Sequence, residues 1–226
     1  MIERVKTIIK SGFPGAVTIY RNARQRWRER PLDDLFSEIY WKNSWQDSES
    51  VSGSGSSLAR TTVVRNQLPL LLQELGTTTL LDAACGDFNW MRCTKLEGIK
   101  YIGVDIVPGL ITLNQRLFAS DERTFMVLDI TQHVIPKADV ILCRDCLIHL
   151  SFQDVQRTIA NFKRSGCAYL LATTHISVPE NIDAPSGGWR SLNLQLSPFN
   201  FSEPLKMIVE NEETGKCLGL WRLNDL

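Results

Sequence analysis

The chain has 226 residues, 43% hydrophobic and 22% charged, with 25 basic and 25 acidic side chains and a formal net charge of zero. Such values suit a globular chain large enough for a sizeable core, and the neutral balance gives no general argument for a polyanionic partner. No apolar run approaches membrane-spanning length, and the first 20 residues lack an h-region and cleavage site; a cytoplasmic protein is expected. Six scattered cysteines, mostly in apolar surroundings, read as reduced core thiols.

Residues 1–57 form the first region in chain order. Residues 1–30 carry eight Lys/Arg against two Glu, whereas the rest of the chain is acidic. "VTIYRNARQRWRERP" places Val17, Tyr20 and Trp27 at near-helical spacing among Arg21, Arg24, Arg26, Arg28 and Arg30. A solvated helix face, or a lid across the domain, is the ordinary outcome of that pattern; attachment to nucleic acid or to an anionic membrane surface is the other. "DSESVSGSGSS" then reads as a loop.

From residue 58 helical and strand patterns alternate. "LARTTVVRNQLPLLLQEL" predicts a helix with a kink or break near Pro69. Strands are predicted at "TLLDA" (79–83), "YIGVD" (101–105), "FMVLD" (125–129), "DVILCR" (139–144) and "AYLLATT" (168–174). Their near-continuous apolar character suits a parallel sheet covered on both faces. "PGLITLNQRLF" begins a helix at Pro108, and "SFQDVQRTIANFKRS" opens with a capping-box variant, Ser151 and Asp154. "PLKMIVENEE" and "KCLGLWRLN" flank "ETGK" as an antiparallel hairpin. The expected architecture is α/β, a doubly wound, mainly parallel seven-stranded sheet closed by a C-terminal antiparallel hairpin. Residues 1–57 are then a cap or lid, and 58–226 the main domain.

Three predicted strands end in an acid: Asp82, Asp105 and Asp129. Ligands of open parallel sheets bind at the carboxyl ends of the strands, and Asp105 follows Asp82 at about the interval of a ribose-binding acid. A carboxylate accepts hydrogen bonds from both ribose hydroxyls without needing a proton. Ala84-Cys85-Gly86 allows close backbone approach. The turn does not match G-x-G-x-x-G, and Asp82 and Asp87 would repel a pyrophosphate. Acids there suit a cationic nucleoside instead, such as S-adenosylmethionine, which carries a sulfonium, an ammonium and a ribose but no phosphate.

"LLDAACGDFNW" resembles the first motif of class I S-adenosylmethionine-dependent methyltransferases, with Ala84 where a glycine is usual and Phe88 where another often stands. "YIGVDIVPGLI" is similar to their second motif and "FMVLDIT" to their third; "ADVILCRDCLIHLS" resembles their fourth strand and the start of the helix after it. The likeness spans roughly residues 65–175, and the set as a whole resembles a small bacterial-type family of these enzymes. The resemblance implies the Rossmann-like methyltransferase fold and S-adenosylmethionine as cofactor. It implies that Asp105 meets the ribose beside Ile106, that Asp129 meets the adenine amino group, and that Ile130 borders the ring. Asp82, Ala84, Gly86 and Cys143 complete the donor set, with Ser56 and Arg60 as candidates for its carboxylate because anions are favoured near a helix N-terminus.

Asp145 is the first candidate for a general base and His149 the second, each near the centre of the cleft. Packing of His149, or an ion pair between Asp145 and Arg144, is the plain structural alternative. Arg144 and His175 are expected at the acceptor. Residues 176–204 make a long polar segment, expected to select the substrate through Trp189 and Arg190, since long ordered loops often bind. The reading is transfer of a methyl group to a small polar acceptor, a sugar hydroxyl or phosphorylated metabolite. An RNA or protein acceptor, or a non-catalytic binding module, are the alternatives. The CxxC at Cys143 and Cys146 has no second pair of ligands, so no metal is expected.

Overall fold

The computed structural model describes residues 30–226. The basic run around Val17, Tyr20, Trp27 and Arg21 to Arg28 lies outside the described residues, and Arg30, at its edge, pairs with Glu38. Seven strands form one sheet in the order β3-β2-β1-β4-β5-β7-β6. The strands are β1 (Thr79–Ala83), β2 (Lys100–Asp105), β3 (Arg123–Val127), β4 (Val140–Cys143), β5 (Tyr169–His175), β6 (Lys206–Asn211) and β7 (Lys216–Arg222). The first five run parallel, and β7 returns antiparallel between β5 and β6. The order reverses between β1 and β4, which opens a crevice at their carboxyl ends.

The helices are α1 (Leu32–Trp41), α2 (Thr62–Glu74), α3 (Pro108–Phe118) and α4 (Phe152–Arg164). Two apolar clusters fill the space on the sheet. One holds Leu81, Val104, Ile141 and Leu170 with Val155 and Phe162 of α4; the other holds Leu80, Tyr101, Val140 and Leu171 with Val64, Leu68 and Leu72 of α2. Alternate residues of each strand thus serve opposite faces, as the side-chain period of two requires. Ser151 caps α4 by accepting from the Asp154 amide at 3.2 Å and donating to its carboxylate at 2.8 Å.

Two expectations need correction. α2 does not break at Pro69, because Leu68, Leu71 and Leu72 are buried on the sheet and hold the helix although Pro69 contributes no N–H. β3 stops at Val127 rather than Asp129. Leu128 N–H still bonds the Asp105 carbonyl at 2.9 Å, but Asp129 then turns the chain by accepting from the Thr131 amide and hydroxyl.

Candidate active site

A cleft of about 1030 Å³, its open mouth included, lies over the strand ends. Asp82, Ala84, Gly86, Asp105, Ile106, Asp129 and Ile130 all line it. Asp82, the last residue but one of β1, is almost fully buried, and its Oδ2 accepts the Tyr101 hydroxyl at 2.7 Å. Burial pushes its carboxyl up to about 7 against that hydrogen bond. Asp105 accepts the Gly86 and Val107 amides at 3.1 Å each, and burial still lifts it to about 6. Asp129 is held by Thr131 and by Gln132, whose Nε2 donates to Oδ2 at 2.7 Å. Behind it His133 Nδ1 accepts the Asp129 amide at 2.9 Å, which fixes the turn. Gly86 has φ +54°, and Asn114 Nδ2 bonds its carbonyl at 2.8 Å; the first turn is locked from behind.

The roof comes from residues 32–56. Leu32, Phe36, Tyr40 and Trp45 line the cleft from α1 and the turn after it, followed by Val51, Ser52 and Ser56. Leu35 packs against Gly187, where an added Cβ would lie 3.0 Å from Leu35 Cδ2; Trp41 packs against Gly109 in the same way. α1 therefore bridges from the segment after β5 to the start of α3. Asp87 fastens the serine loop: its Oδ2 accepts the Ser50 hydroxyl at 2.8 Å and the Val51 amide at 3.0 Å. The Asp87 amide donates to Ser52 Oγ at 3.0 Å, and Asn89 Nδ2 donates to the Ser56 carbonyl at 3.1 Å.

The opposite end of the cleft is a charge network. Asp145 follows β4 with φ +51°, a left-handed conformation that Asp tolerates better than most residues. Thr173 Oγ1 accepts its amide at 2.8 Å, and Lys216 Nζ donates to its Oδ2 at 2.5 Å. Burial alone would raise the Asp145 carboxyl, but the Arg144 and Lys216 charges together hold it below the ordinary range. Arg144 forks onto Glu210 at 2.6 and 3.0 Å, and both side chains are only 3% exposed. Glu210 sits at a bulge between Val209 and Asn211, where the ladder shifts and its carboxylate turns inward. His149 lines the same end, with Nδ1 2.7 Å from the Gly188 carbonyl. A carbonyl only accepts, so Nδ1 carries the proton and Nε2 keeps its lone pair. Burial lowers the imidazole below its usual range, against the pull of Gly188 and Asp145, so the ring is neutral near pH 7.

The sequence of residues 81–166, from β1 to the last turns of α4, matches a family model described as a methyltransferase domain. Over that stretch the chain carries a methyltransferase domain. No curated protein matches this methyltransferase in sequence. In fold it is similar to the N-methyltransferase NodS of Bradyrhizobium japonicum in complex with S-adenosylhomocysteine, with TM-score 0.59, 14% identity, and 81% and 97% of the two chains covered. It is also similar to the Burkholderia thailandensis 1,6-didemethyltoxoflavin-N1-methyltransferase, with TM-score 0.56, 16% identity and coverage of 84% and 86%. Human N-acetylserotonin methyltransferase gives TM-score 0.56 and 14% identity over 89% of this chain and 64% of that one. Among the described residues no helix is long and apolar enough to cross a membrane.

The methyltransferase departs from several sequence expectations about individual residues. Arg60 is exposed and away from the cleft, whereas Ser56 lines it. Cys143 is fully buried within β4, one residue short of the lining. His175 closes β5 from behind, 4% exposed, with Nδ1 3.4 Å from the Leu192 amide. Residues 176–204 contribute nothing to the cleft lining, because Leu192, Leu194 and Phe201 are drawn into the core and Asn181 ties the segment to the Asn193 carbonyl. Trp189 faces solvent at 65% exposure. Arg190 is 9% exposed and donates inward to the Ile148 carbonyl at 2.9 Å, over the ring of Phe152. Arg144 lines the cleft but is committed to Glu210. Sequence reasoning missed Phe36, Tyr40, Trp45, Glu210 and Lys216. The aromatic run after residue 31 was a usable signal for the roof; nothing local marks the hairpin pair.

Proposed function

We propose that the cleft holds S-adenosylmethionine along the three carboxylates and transfers its methyl group to a small acceptor enclosed beneath the cap of residues 30–57. The observation that carries this reading is the set of buried acids, Asp82, Asp105 and Asp129, in one apolar-roofed cleft. Two of them are lifted toward neutrality by burial, so they gain most from a ligand bringing positive charge or hydroxyl donors. In this assignment Asp82 and the Gly86 turn face the methionine portion, with Ser56 on the roof. Asp105 and Ile106 take the ribose, and Asp129 and Ile130 the adenine. When bound, the donor supplies an electrophilic carbon: the acceptor lone pair forms the new bond as carbon–sulfur cleavage returns its electron pair to sulfur.

The chain's own tasks are alignment, exclusion of water and removal of one proton. His149 is the base we assign, since Nδ1–H is fixed on Gly188 and Nε2 is left to accept the acceptor's proton. Asp145 is less suited, because Lys216 and Arg144 already share its charge. Arg190 and residues 176–204 lie outside the cleft and cannot supply the phosphate clamp that a phosphorylated acceptor needs.

Two measurements test this. Calorimetry with S-adenosylhomocysteine should show one site per chain, abolished by Asp105→Ala in folded protein; absence of binding to the wild type rejects the reading. Labelled methyl from the donor should enter the small-molecule fraction of a cell extract. His149→Ala should cut that transfer by about 10²–10⁴ while retaining donor binding. Label found only in RNA or protein would overturn the small-acceptor assignment.

A further inference from the structure

The acceptor end of the cleft is closed to anions and walled by flat rings. Arg144 and Lys216 are the basic side chains there, and both are spent. Arg144 holds Glu210 at 2.6 Å and lies 3.4 Å from Asp145; Lys216 holds Asp145 at 2.5 Å and lies 3.8 Å from Glu210. Two cations thus meet two anions, with the Arg144 and Glu210 side chains 3% exposed, and the three rim acids supply no positive charge. A phosphate or carboxylate entering here would have to break a buried pair or sit beside uncompensated acids, and either is strongly unfavourable.

The walls point the same way. The Trp45 indole lies over the His149 imidazole with centroids 4.9 Å apart and planes inclined by 33°. Gly53 permits that approach: an added Cβ would stand 3.2 Å from Trp45 Cβ. Trp90 lines the cleft and carries the Arg144 guanidinium 5.3 Å from its ring centre, which fills its cation-binding face. Val51 and Cys146 add apolar surface. Flat apolar walls beside a neutral hydrogen-bond acceptor, His149 Nε2, suit a flat uncharged ligand that carries a donor.

Resting on the donor assignment above, we propose that the acceptor is an uncharged planar aromatic compound bearing a hydroxyl or ring N–H. Trp45 grips its face, and the Arg144–Glu210 pair excludes its anionic relatives. Glu210 is a positioning residue: it never touches the acceptor, but it consumes the charge of Arg144 that would otherwise welcome a carboxylate.

The test is equilibrium dialysis on full-length protein first shown by calorimetry to bind S-adenosylhomocysteine and then loaded with it. The probes are 2-naphthol, its carboxylated analogue 3-hydroxy-2-naphthoate, and glucose 6-phosphate. The expected result is retention of 2-naphthol, at least tenfold weaker retention of 3-hydroxy-2-naphthoate, and none of glucose 6-phosphate. Trp45→Ala should weaken 2-naphthol at least tenfold more than it weakens S-adenosylhomocysteine, with Trp45→Leu as the replacement where the alanine variant does not fold. Glu210→Gln should shift selectivity toward 3-hydroxy-2-naphthoate, a change of preference that mere loosening of the fold does not produce. Tighter retention of either anion than of 2-naphthol by the wild type, or 2-naphthol binding indifferent to Trp45, overturns the proposal. Failure to bind S-adenosylhomocysteine removes the donor assignment and this inference with it; donor binding without 2-naphthol binding removes this inference alone.

Discussion

Asp87 stands in the first motif, yet its side chain grips the roof. Replacing it with alanine removes the acceptors of the Ser50 hydroxyl at 2.8 Å and the Val51 amide at 3.0 Å. Hydrogen bonds to a charged group contribute about 1.5–3 kcal/mol each, and partial exposure of Asp87 brings the pair to about 2 kcal/mol in total. This stabilises closure of the serine loop rather than the sheet. By the conversion of about 1.4 kcal/mol per tenfold, exchange of the Val51 amide should accelerate about 30-fold. Donor affinity should fall by no more than that factor. Asp87→Asn, which keeps one acceptor oxygen, should give roughly half the effect on the same energy scale. Native-state hydrogen exchange with and without S-adenosylhomocysteine reads both numbers. Unchanged exchange at Val51, or equal acceleration at Val140 in the sheet, would refute a local clasp.

Other outcomes follow from the same geometry. In the folded protein Asp82 and Asp105 keep their protons up to about pH 7 and 6, whereas in the unfolded chain they release them near pH 4. Between those limits the folded state binds more protons, so their contribution to ligand-free stability falls as pH rises; urea midpoints should show that slope, and Asp82→Asn should flatten it. Donor affinity runs the opposite way, weakening as pH falls through 7 and 6, which calorimetry across pH 5–8 checks. Gly55→Ala places a Cβ 2.9 Å from Asp145 Oδ2, so methyl transfer should drop while the melting temperature of the sheet domain changes little. Arg190→Met should leave the acceptor Michaelis constant unchanged and stability within about 1 kcal/mol of wild type, because two of the guanidinium nitrogens, Nε and Nη2, are buried without a partner among the described residues. A large rise in the Michaelis constant would return Arg190 to the acceptor.

The sheet was legible because its signals are local. A strand buried on both faces must be apolar over its whole length, and the acids at Asp82 and Asp105 mark where that requirement ends. Pro108 and Ser151 mark helix starts by what they lack or accept. Asp129 was legible as a site residue but not as the end of β3, because the turn it makes depends on His133 and Thr131. The long polar segment 176–204 misled for a related reason: Asn181, Asn193 and Arg190 look like ligand groups until their partners are known to be backbone carbonyls and amides.

By itself the amino-acid order determined the element sequence from α2 onward, the hairpin at the end and the acids along the rim, since apolar period and terminal residues are properties of neighbours along the chain. Only the tertiary structure decided the character of the acceptor end. Glu210 and Lys216 reach Arg144 and Asp145 from 66 and 71 residues away, through a bulge and an antiparallel return. Whether a charge is free to bind depends on what lies within a few ångströms of it, and that proximity is created by folding.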